Sequence, residues 1–422
     1  MLDIRMVRED PEIINKMLDR RKSPFPLKEL LEKDRKLRSL ITRTQKLKHD
    51  RNLTSERIAS MKKAGAGTDK EIQEMRKLGN EIETANSAIA DLQKDVRRLL
   101  MDLPNIPHPS VPDGIDESQN VVIRSAGKKS NPNFTVKDHI ELGSDLGLID
   151  MDRASKVSGS RFYYLKGDLV LLNQALIRYA LEFLRERHFQ LIQPPYLLRR
   201  EIVEGCVALS DFEDSIYQVE GQDLYLLPTS EHAIAGFHFD EILEGSTLPL
   251  NYSGVSPCFR KEAGTSGRDT KGIFRVHQFE KVEQFVFCKP DDSWNEHERL
   301  LRNAEEFFQS LGLAYRIVNV CIGDLGAVAA KKYDLEIWLA GQGKYREAVS
   351  CSNCTDYQAR RLNIRFRDRQ SDESTFVHTI NSTLVATERA LIGIMENYQT
   401  KKGTIKIPEV LRPFMSGLEE IG

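Results

Sequence analysis

With 422 residues, 40% of them hydrophobic, the chain is long enough for roughly two or three folded domains with proper cores. Its 61 Lys and Arg residues and 63 Asp and Glu residues leave a formal net charge of -2. A near-neutral total excludes a uniformly basic chain but not nucleic-acid binding, which depends on where the basic residues cluster.

The cysteines and the least polar segments indicate the compartment. Six cysteines, which lie between Cys206 and Cys354, are too sparse for a disulfide framework, so we expect free thiols in a reducing compartment. The segment Met1–Arg5 lacks the apolar core of a signal peptide. The least polar long stretch, near 311–330, still contains charged residues and predicts no membrane span. A cytoplasmic location is therefore expected.

Residues 27–103 are predicted to form two long helices that pack as an antiparallel hairpin. The second helix carries a seam residue at alternating steps of three and four from Met75 to Leu103, which is a heptad pattern. The first helix has a weaker seam from Leu37 to Met61. Between the helices, the glycines of 64–69 allow the chain to reverse. The pattern predicts a projecting coiled-coil arm.

The first helix of this arm is basic, with twelve Lys and Arg against five Asp and Glu from Leu27 to Lys63. Such charge is ordinarily a solvated helix face, yet a rigid basic rod also allows contact with RNA. Pro104 follows the second helix, and proline cannot continue a helix. We therefore predict an N-terminal domain at 1–110 and a second domain at 111–422.

The second domain alternates short strands with helices, so the predicted fold class is α+β. Strand-like alternation occurs at 333–339 and 275–287, and helical spacing occurs at 168–187 and 384–398. There is no regular βαβ rhythm, no Gly-rich dinucleotide fingerprint and no phosphate-binding loop of the Gly-x4-Gly-Lys type. An ATP-binding site here would need a mixed or antiparallel sheet as its floor.

A pair of predicted strands near residue 270 carries an unusual density of charge. Arg260 and Glu262 share one face of the first strand, because side chains alternate with period two. The same rule groups several residues of the next strand: Arg275, His277, Phe279, Lys281 and Glu283. A solvated surface hairpin is one interpretation, since such groups are costly to bury without partners. The small polar loop 263–270 favours the other, a hairpin that folds over a phosphate.

The pattern Phe-Arg-x-Glu, a loop, then Arg-x-His-Gln-Phe-x-Lys-x-Glu resembles motif 2 of the class II aminoacyl-tRNA synthetases in its seryl form. The resemblance implies that Arg260 grips the α-phosphate of ATP, a role that suits a guanidinium. By the same resemblance, Glu262 accepts from the adenine amino group and Phe279 stacks on the base. The remaining implied contacts are Lys261 and Arg275 with ATP, and Glu283 with the amino acid.

Two further segments resemble the other motifs of that family, in the required order. Phe189-x-x-Ile-x-x-Pro195 resembles motif 1, a dimer-interface element, with His188 where the family often has glycine. Residues 377–384, which run into a helix bearing Arg389, resemble motif 3, whose arginine meets the γ-phosphate. Taken alone, Arg389 is more often an ordinary helix-surface arginine. The resemblance also makes Thr383 a contact of the substrate serine.

Residues 229–231 form a third candidate element, Thr229-Ser230-Glu231. They match the family's loop for the substrate ammonium, and a carboxylate with a nearby hydroxyl or carbonyl suits that cation. Thr229 or Ser230 is also a typical N-cap residue for a following helix, and a capping role is compatible with a substrate contact.

Residues 346–354 complete the predicted site. The resemblance assigns Glu347 and Ser350 to ATP and Mg²⁺, with Ala348 and Val349 between them as further ATP contacts. An ideal strand places Glu347 and Ser350 on opposite faces, so this assignment requires a bulge or twist. The nearby Cys351-x-x-Cys354 is a single pair without a second pair, and we expect no zinc there.

The resemblance implies a class II antiparallel sheet flanked by helices, preceded by the coiled-coil arm. It further implies a serine–tRNA ligase that uses ATP and Mg²⁺, acts as a homodimer and takes tRNA(Ser), and also tRNA(Sec), as acceptor. An amino acid:carrier-protein ligase is an alternative, but such enzymes lack the long arm. A catalytically inactive RNA-binding paralogue is another, although it would be expected to lose Arg260, Glu347 or Arg389, and all three are present.

Overall fold

The computed structural model describes residues 1–208, 215–262, 271–369 and 371–422. The loop 263–270, predicted to cover a phosphate, lies outside the described residues. Contacts between residues divide the chain into two compact units. One unit is Leu2–Leu103, and the other is Pro104–Gly422 together with Met1.

The N-terminal unit is helical. Its helices are α1 (Ile4–Glu9), α2 (Pro11–Arg21), α3 (Leu27–Lys63) and α4 (Asp69–Asp102). Asp10 caps α2, because its side chain accepts a hydrogen bond from the backbone N–H of Ile13 at 3.1 Å. Pro11 then occupies the first helical position, where its missing N–H costs nothing.

The two long helices, α3 and α4, form an antiparallel hairpin, as predicted. Lys33 near the start of α3 pairs with Asp95 near the end of α4. Arg57, near the end of α3, pairs with Glu74 at 2.7 Å near the start of α4. At a rise of about 1.5 Å per residue, the 37 residues of α3 span about 55 Å.

Threonines fill part of the hairpin seam where the first helix lacks apolar residues. Thr44 and Thr54 are 2% and 7% exposed. Each hydroxyl donates to the carbonyl four residues earlier, Leu40 at 2.8 Å and Asp50 at 2.9 Å. Because the buried hydroxyls are paired in this way, the weak seam can pack without an unpaired polar atom at either position.

The strands that the structure describes belong to the second unit and are numbered here in chain order. They are β1 (Val121–Ala126), β2 (Ile149–Asp150), β3 (Tyr164–Leu165), β4 (Gln190–Ile192), β5 (Leu197–Arg199), β6 (Leu224–Leu226), β7 (Ile242–Glu244), β8 (Leu250–Phe259), β9 (Gln278–Cys288), β10 (Tyr315–Asn319), β11 (Lys331–Leu339), β12 (Lys344–Thr355), β13 (Arg365–Arg367), β14 (Thr375–Phe376), β15 (His378–Ala386), β16 (Ile405–Lys406) and β17 (Glu420–Ile421).

Eight of these strands form the main sheet, in the order β1-β10-β11-β12-β15-β9-β8-β4. Neighbouring strands are antiparallel except β4, which runs parallel to β8 at the edge. The central strands β9 and β15 are buried along nearly their whole length. The predicted antiparallel sheet is therefore present, with its middle enclosed on both faces.

Helices of the second unit cover this sheet. They are α5 (His139–Asp145), α6 (Met151–Ser158), α7 (Asp168–Glu186), α8 (Arg200–Cys206), α9 (Ser230–Ala235), α10 (Ser293–Ser310), α11 (Tyr357–Leu362) and α12 (Thr387–Asn397). The main core joins α7, α10 and α12 to the sheet through residues such as Leu176, Phe307 and Leu391. The predicted helix at 168–187 is thus confirmed as α7, whose buried side chains recur at helical spacing.

Two predicted boundaries were wrong. The helical spacing at 384–398 begins inside β15, and α12 starts only at Thr387. A strand buried on both faces has no polar alternation, so an apolar run cannot distinguish it from a helix. The strand predicted to start at Arg275 starts instead at Gln278. None of the described helices has the length and hydrophobicity needed to span a bilayer.

Candidate active site

A cleft of about 490 Å³ lies over the central strands of the sheet. It brings together residues of every predicted site element except the dimer motif. The predicted residues that line it are Thr229, Glu231, Arg260, Glu262, Arg275, Phe279, Glu283, Glu347, Ala348, Ser350, Thr383 and Arg389. Segments distant in sequence therefore converge on one cavity, whose walls mix both signs of charge with apolar groups.

Three predicted contacts do not line this cleft. Ser230 is fully buried, and its hydroxyl donates to the carbonyl of Gly254 at 3.2 Å, which ties α9 to β8. Val349 belongs to the main hydrophobic core. The backbone N–H of Lys261 donates to the carbonyl of Ser215 at 3.0 Å. The ligand contacts assigned to these residues remain predictions.

A β-bulge places Glu347 and Ser350 at the same cleft, as the sequence required. Leu335 of β11 pairs with Val349, but the next residue, Glu336, pairs with Glu347, so Ala348 is the extra residue of β12. The bulge breaks the strict alternation of side chains. Glu347 and Ser350, which an ideal strand would separate, consequently both line the cleft.

Arg260 and Glu262 lie just beyond the end of β8. The backbone N–H of Arg260 donates to the carbonyl of His277 at 2.9 Å, which continues the β8–β9 pairing past both strand ends. The guanidinium of Arg260 lies 5.0 Å from the ring centre of Phe279. Glu262 adopts a left-handed φ of 50° and accepts from Arg275 at 3.3 Å. The predicted arginine and aromatic therefore face one another.

The period-two rule failed before β9 begins, where it had grouped Arg275 and His277 with the strand residues. Arg275 still lines the cleft, from the segment that precedes the strand. The ring of His277 instead contacts the carbonyl oxygen of Arg260 at 2.9 Å through Nδ1, and it is not among the lining residues. His277 therefore supports the hairpin rather than the cavity.

Glu231 is half-buried and lines the cleft. Its Oε1 accepts hydrogen bonds from Gln358 Nε2 at 2.9 Å and from Asn381 Nδ2 at 3.2 Å. Burial and, after it, the nearby carboxylate of Glu283 together raise the pKa of Glu231 to about 7, while Lys281 acts in the opposite direction. A cation placed beside Glu231 would therefore be strongly favoured. The capping interpretation also holds, because Thr229 Oγ1 accepts from the backbone N–H of Glu231.

Glu283 and Thr383 meet beside Glu231. Thr383 Oγ1 donates to Glu283 Oε2 at 3.2 Å. Lys281 Nζ lies 2.6 Å from the same oxygen, and the Lys281 and Glu283 side chains are 7% and 2% exposed. The carboxylate is thus anchored through one oxygen. Such an arrangement suits the recognition of a small hydroxyl-bearing ligand.

Arg389 lies across the cleft, in the first turn of α12. Its Nη1 is 3.0 Å from Glu347 Oε1, and it also donates to the backbone carbonyl of Glu347 at 3.0 Å. Burial acts to raise the pKa of Glu347, but Arg389 and Lys332 hold it below its ordinary value. With a side chain 19% exposed, Arg389 is not an ordinary helix-surface arginine.

Comparison with known proteins identifies the family. Residues 1–107 match the seryl-tRNA synthetase N-terminal domain, and residues 212–398 match the class II core domain of the G, H, P, S and T tRNA synthetases. The serine–tRNA ligase of Nitrosopumilus maritimus is 50% identical over 421 residues, covering 100% of both chains. The chain belongs to the seryl-tRNA synthetase family.

Solved structures of this family agree with the fold. The seryl-tRNA synthetase of Pyrococcus horikoshii, complexed with ATP, matches with a TM-score of 0.94 at 49% identity, covering 100% of this chain and 99% of that one. The cytoplasmic serine–tRNA ligase of Naegleria fowleri, in complex with AMP, matches with a TM-score of 0.88 at 38% identity, covering 100% and 98%. The predicted class II fold with its helical arm is confirmed, and a carrier-protein ligase is not favoured.

Sequence reasoning missed residues that hold side chains of the predicted site in place. Gln358 and Asn381 fix one oxygen of Glu231, and Lys281 anchors Glu283. Alternation along β9 did place Lys281 on the correct face. For Gln358 and Asn381, no periodic signal exists, because a buried amide is defined by partners that are distant in sequence.

The two cysteines of the Cys351-x-x-Cys354 segment are buried and engage different partners. Asn381 Nδ2 donates to Cys354 Sγ at 3.6 Å, and Cys351 Sγ donates to the carbonyl of His297 at 3.7 Å. Burial raises the pKa of both thiols well above the ordinary value. Over the described ranges, no three His, Cys, Asp or Glu residues are grouped as a metal site would require.

Proposed function

We infer that the chain is an ATP-dependent serine–tRNA ligase, which activates serine as seryl-adenylate and transfers the seryl group to tRNA. The observation that carries this inference is the convergence of two sets of residues in one cleft. Glu231, Glu283 and Thr383 suit an amino acid, whereas Arg260 and Arg389 suit phosphates.

The serine subsite follows from hydrogen-bonding chemistry. We propose that Glu231 and Thr229 receive the ammonium group, because one acceptor is a half-buried carboxylate and the other a hydroxyl in the same turn. Glu283 and Thr383 receive the substrate hydroxyl. Alanine lacks that hydroxyl and would leave these buried polar groups without their ligand, which is a strong basis for rejection.

In the first step, the serine carboxylate attacks the α-phosphorus of ATP, and pyrophosphate leaves in line. No side chain need act as a base, because the carboxylate is already ionised. Arg260 and Arg389 would spread the charge that develops on the phosphates. Phe279 would stack on the adenine, with Glu262, Lys261 and Arg275 as further ATP contacts.

Glu347 and Ser350 fit a Mg²⁺ ion that accompanies ATP. Both are oxygen donors, both line the cleft, and Mg²⁺ prefers oxygen ligands with phosphates and waters. An ion bound there would neutralise part of the negative charge of the phosphates. The backbone of Ala348 and Val349 would contribute to the same ATP-binding segment.

In the second step a terminal ribose hydroxyl of tRNA(Ser) loses its proton and forms an ester with the seryl carbonyl, and AMP leaves. We propose tRNA(Sec) as a further acceptor. The basic helix α3 supports a role of domain 1–110 in tRNA binding, with catalysis in domain 111–422. We also propose a cytoplasmic homodimer joined near Phe189–Pro195. The apolar side chains of Leu171 and Leu197, 53% and 43% exposed, support an interface in this part of the chain.

The decisive test is ATP–pyrophosphate exchange by the full chain with each of the twenty amino acids in turn, without tRNA. Serine alone should support exchange, followed by charging of tRNA(Ser). Exchange with another amino acid instead would contradict the subsite assigned to Glu283 and Thr383. A complete lack of exchange would favour the catalytically inactive RNA-binding paralogue.

A further inference from the structure

Glu388, the neighbour of Arg389 in the first turn of α12, is a buried carboxyl in the wall of the cleft. It is 2% exposed and lines the cavity. Its Oε1 and Oε2 accept from the backbone N–H of Glu280 at 3.0 Å and 3.2 Å. The hydroxyl of Tyr163 donates to Oε1, and Thr387 Oγ1 donates to Oε2 at 3.3 Å. One side chain therefore joins three segments of the chain.

These contacts attach the start of α12 to strand β9. The N-cap residue Ala386 has no side-chain hydrogen bond to offer, so an acidic group in the first turn is the favourable charge at this helix end. Thr387 Oγ1 also lies 3.5 Å from the carbonyl of Glu280, and Asn173 of α7 holds the Glu280 carboxylate. The first turn of α12 is therefore held to β9, and β9 in turn to α7.

The arrangement bears directly on Arg389, the next residue along the helix. The guanidinium of Arg389 lies 4.9 Å from the ring centre of Phe274 and contacts Glu347 on β12. Its position depends on how the first turn of α12 sits against β9. Burial raises the pKa of Glu388 to about 7, even though the hydrogen bonds from Tyr163 and Glu280 act to lower it. The carboxyl is thus retained against an appreciable cost of desolvation.

We propose that Glu388 is a positioning residue for ATP binding. It fixes the first turn of α12 to β9 and Tyr163, and it thereby orients the Arg389 side chain toward the triphosphate. This proposal rests on the proposed function, because it takes Arg389 as a phosphate contact. Glu388 itself is not expected to bind ATP, since its oxygens are already engaged by protein donors and a carboxylate repels phosphate.

The chain offers a matched control in the same helix. Glu396, near the other end of α12, is fully buried and accepts from the backbone N–H of Gly341 at 3.0 Å and contacts His139 at 3.0 Å. It resembles Glu388 in burial and in backbone contacts. It lies about 12 Å further along the helix, eight residues at about 1.5 Å each. If substitution merely destabilises the helix, variants of both residues should change the KM for ATP. If it displaces the Arg389 side chain, only the Glu388 variants should do so.

The experiment compares Glu388→Ala, Glu388→Gln, Glu396→Ala and Glu396→Gln in full-length protein by serine-dependent ATP–pyrophosphate exchange. For Glu388→Ala we expect the KM for ATP to rise by about tenfold, with the KM for serine changed less than about twofold. Glu388→Gln should stay within about threefold of the parent, because its amide can accept from Glu280 N–H and donate to the Tyr163 oxygen. Both Glu396 variants should leave the KM for ATP unchanged.

Several outcomes would overturn the proposal. One is an equal rise in the KM for ATP and for serine, and another is an equal effect of the Glu396 variants. A third is a lower KM for ATP in Glu388→Gln, which would mean that the main effect of the Glu388 carboxylate is to repel the phosphates of ATP. Should Glu388→Ala fail to fold, Tyr163→Phe removes one donor and keeps the carboxyl; it should raise the KM for ATP by about two- to threefold. No change in that variant would contradict the proposal.

A parallel Arg389→Gln variant separates this proposal from the proposed function. If Arg389→Gln leaves the KM for ATP unchanged, the phosphate contact itself is wrong and the assignment of the site fails with it. If Arg389→Gln raises the KM for ATP and Glu388→Ala does not, only the positioning role of Glu388 is overturned.

Discussion

At the scale of single residues, the half-buried carboxyl of Glu231 links pH to serine recognition. Burial and the neighbouring Glu283 raise its pKa to about 7, so in the empty cleft it is half protonated near neutral pH. The substrate ammonium favours the ionised form. Below the pKa, serine must therefore displace a proton in order to bind, and above it no proton is released.

We predict that the KM for serine rises as the pH falls from 8 to 6, by about tenfold for a single group that titrates near 7. ATP–pyrophosphate exchange across this pH range, with the KM for ATP as an internal reference, measures the effect. The Glu231→Gln variant should bind serine weakly, with no such pH dependence. A parent KM for serine that stays level between pH 6 and 8 would contradict the assignment.

The same residues show what the sequence can and cannot predict about the site. Phe279, Lys281 and Glu283 were correctly grouped, because period-two alternation follows from backbone geometry wherever a strand persists. Arg275 and His277 were wrongly placed on the strand, because β9 begins only at Gln278, although Arg275 still lines the cleft. Gln358 and Asn381 were missed, since the burial of an amide depends on long-range packing that local pattern does not encode.

At the scale of elements, Asp34 ties helix α1 to helix α3 within the N-terminal unit. It is 4% exposed, and its Oδ2 lies 3.3 Å from Arg8 Nε and 3.0 Å from Arg38 Nε. A buried carboxylate needs a cationic partner, because alone it would be an uncompensated charge, and here two arginines supply one from each side. The contact therefore fixes the base of the arm.

Replacing this acid should destabilise the base of the arm. For Asp34→Ala we expect a loss of about 1 kcal/mol in the unfolding free energy of the N-terminal unit, because Arg8 and Arg38 lose a shared partner but remain partly solvated, with side chains 29% and 52% exposed. Hydrogen exchange of the α1 and α3 amides measures it locally. Asp95→Ala, which removes the Lys33 partner at a side chain 42% exposed, is the control and should change little. Equal effects of the two substitutions would exclude a special role for Asp34.

The elements differ in how well the sequence predicts them. The hairpin α3–α4 was predicted to within a few residues, because heptad repeats and a glycine turn are local signals. The bulge at Ala348 was predicted only because two functional residues had to reach one face. The β15–α12 boundary was misplaced, since the residues on both sides of it are buried and the apolar run 384–386 fits a strand as well as a helix. Hydrophobic periodicity therefore identifies a helix or strand well where one of its faces is solvated. It fails where the element is buried on all sides.

At the scale of the whole molecule, the proposed division of labour separates amino-acid activation from tRNA binding. The cleft contains residues of the second unit, whereas the basic surface belongs to α3 of the first. Helix α3 carries twelve Lys and Arg against five Asp and Glu, while Asp69–Asp102 carries six against eight. Phosphate contacts should therefore fall mainly on α3.

The division predicts that charge reversal on α3 impairs tRNA charging without impairing activation. Arg43 and Lys46 are exposed and three residues apart, so they share a helix face. For the double variant Arg43→Glu and Lys46→Glu, the kcat/KM for tRNA should fall by at least about tenfold, with a weaker salt dependence, because phosphate contacts are lost. Serine-dependent exchange should remain within about twofold, since no tRNA takes part in that step.

The matched control reverses the charges of Lys94 and Arg97, an exposed pair of the same spacing on α4, and should have the smaller effect on tRNA charging. A fall in exchange, or equal losses from both helices, would mean that the arm does not bind tRNA through its basic helix independently of the catalytic site.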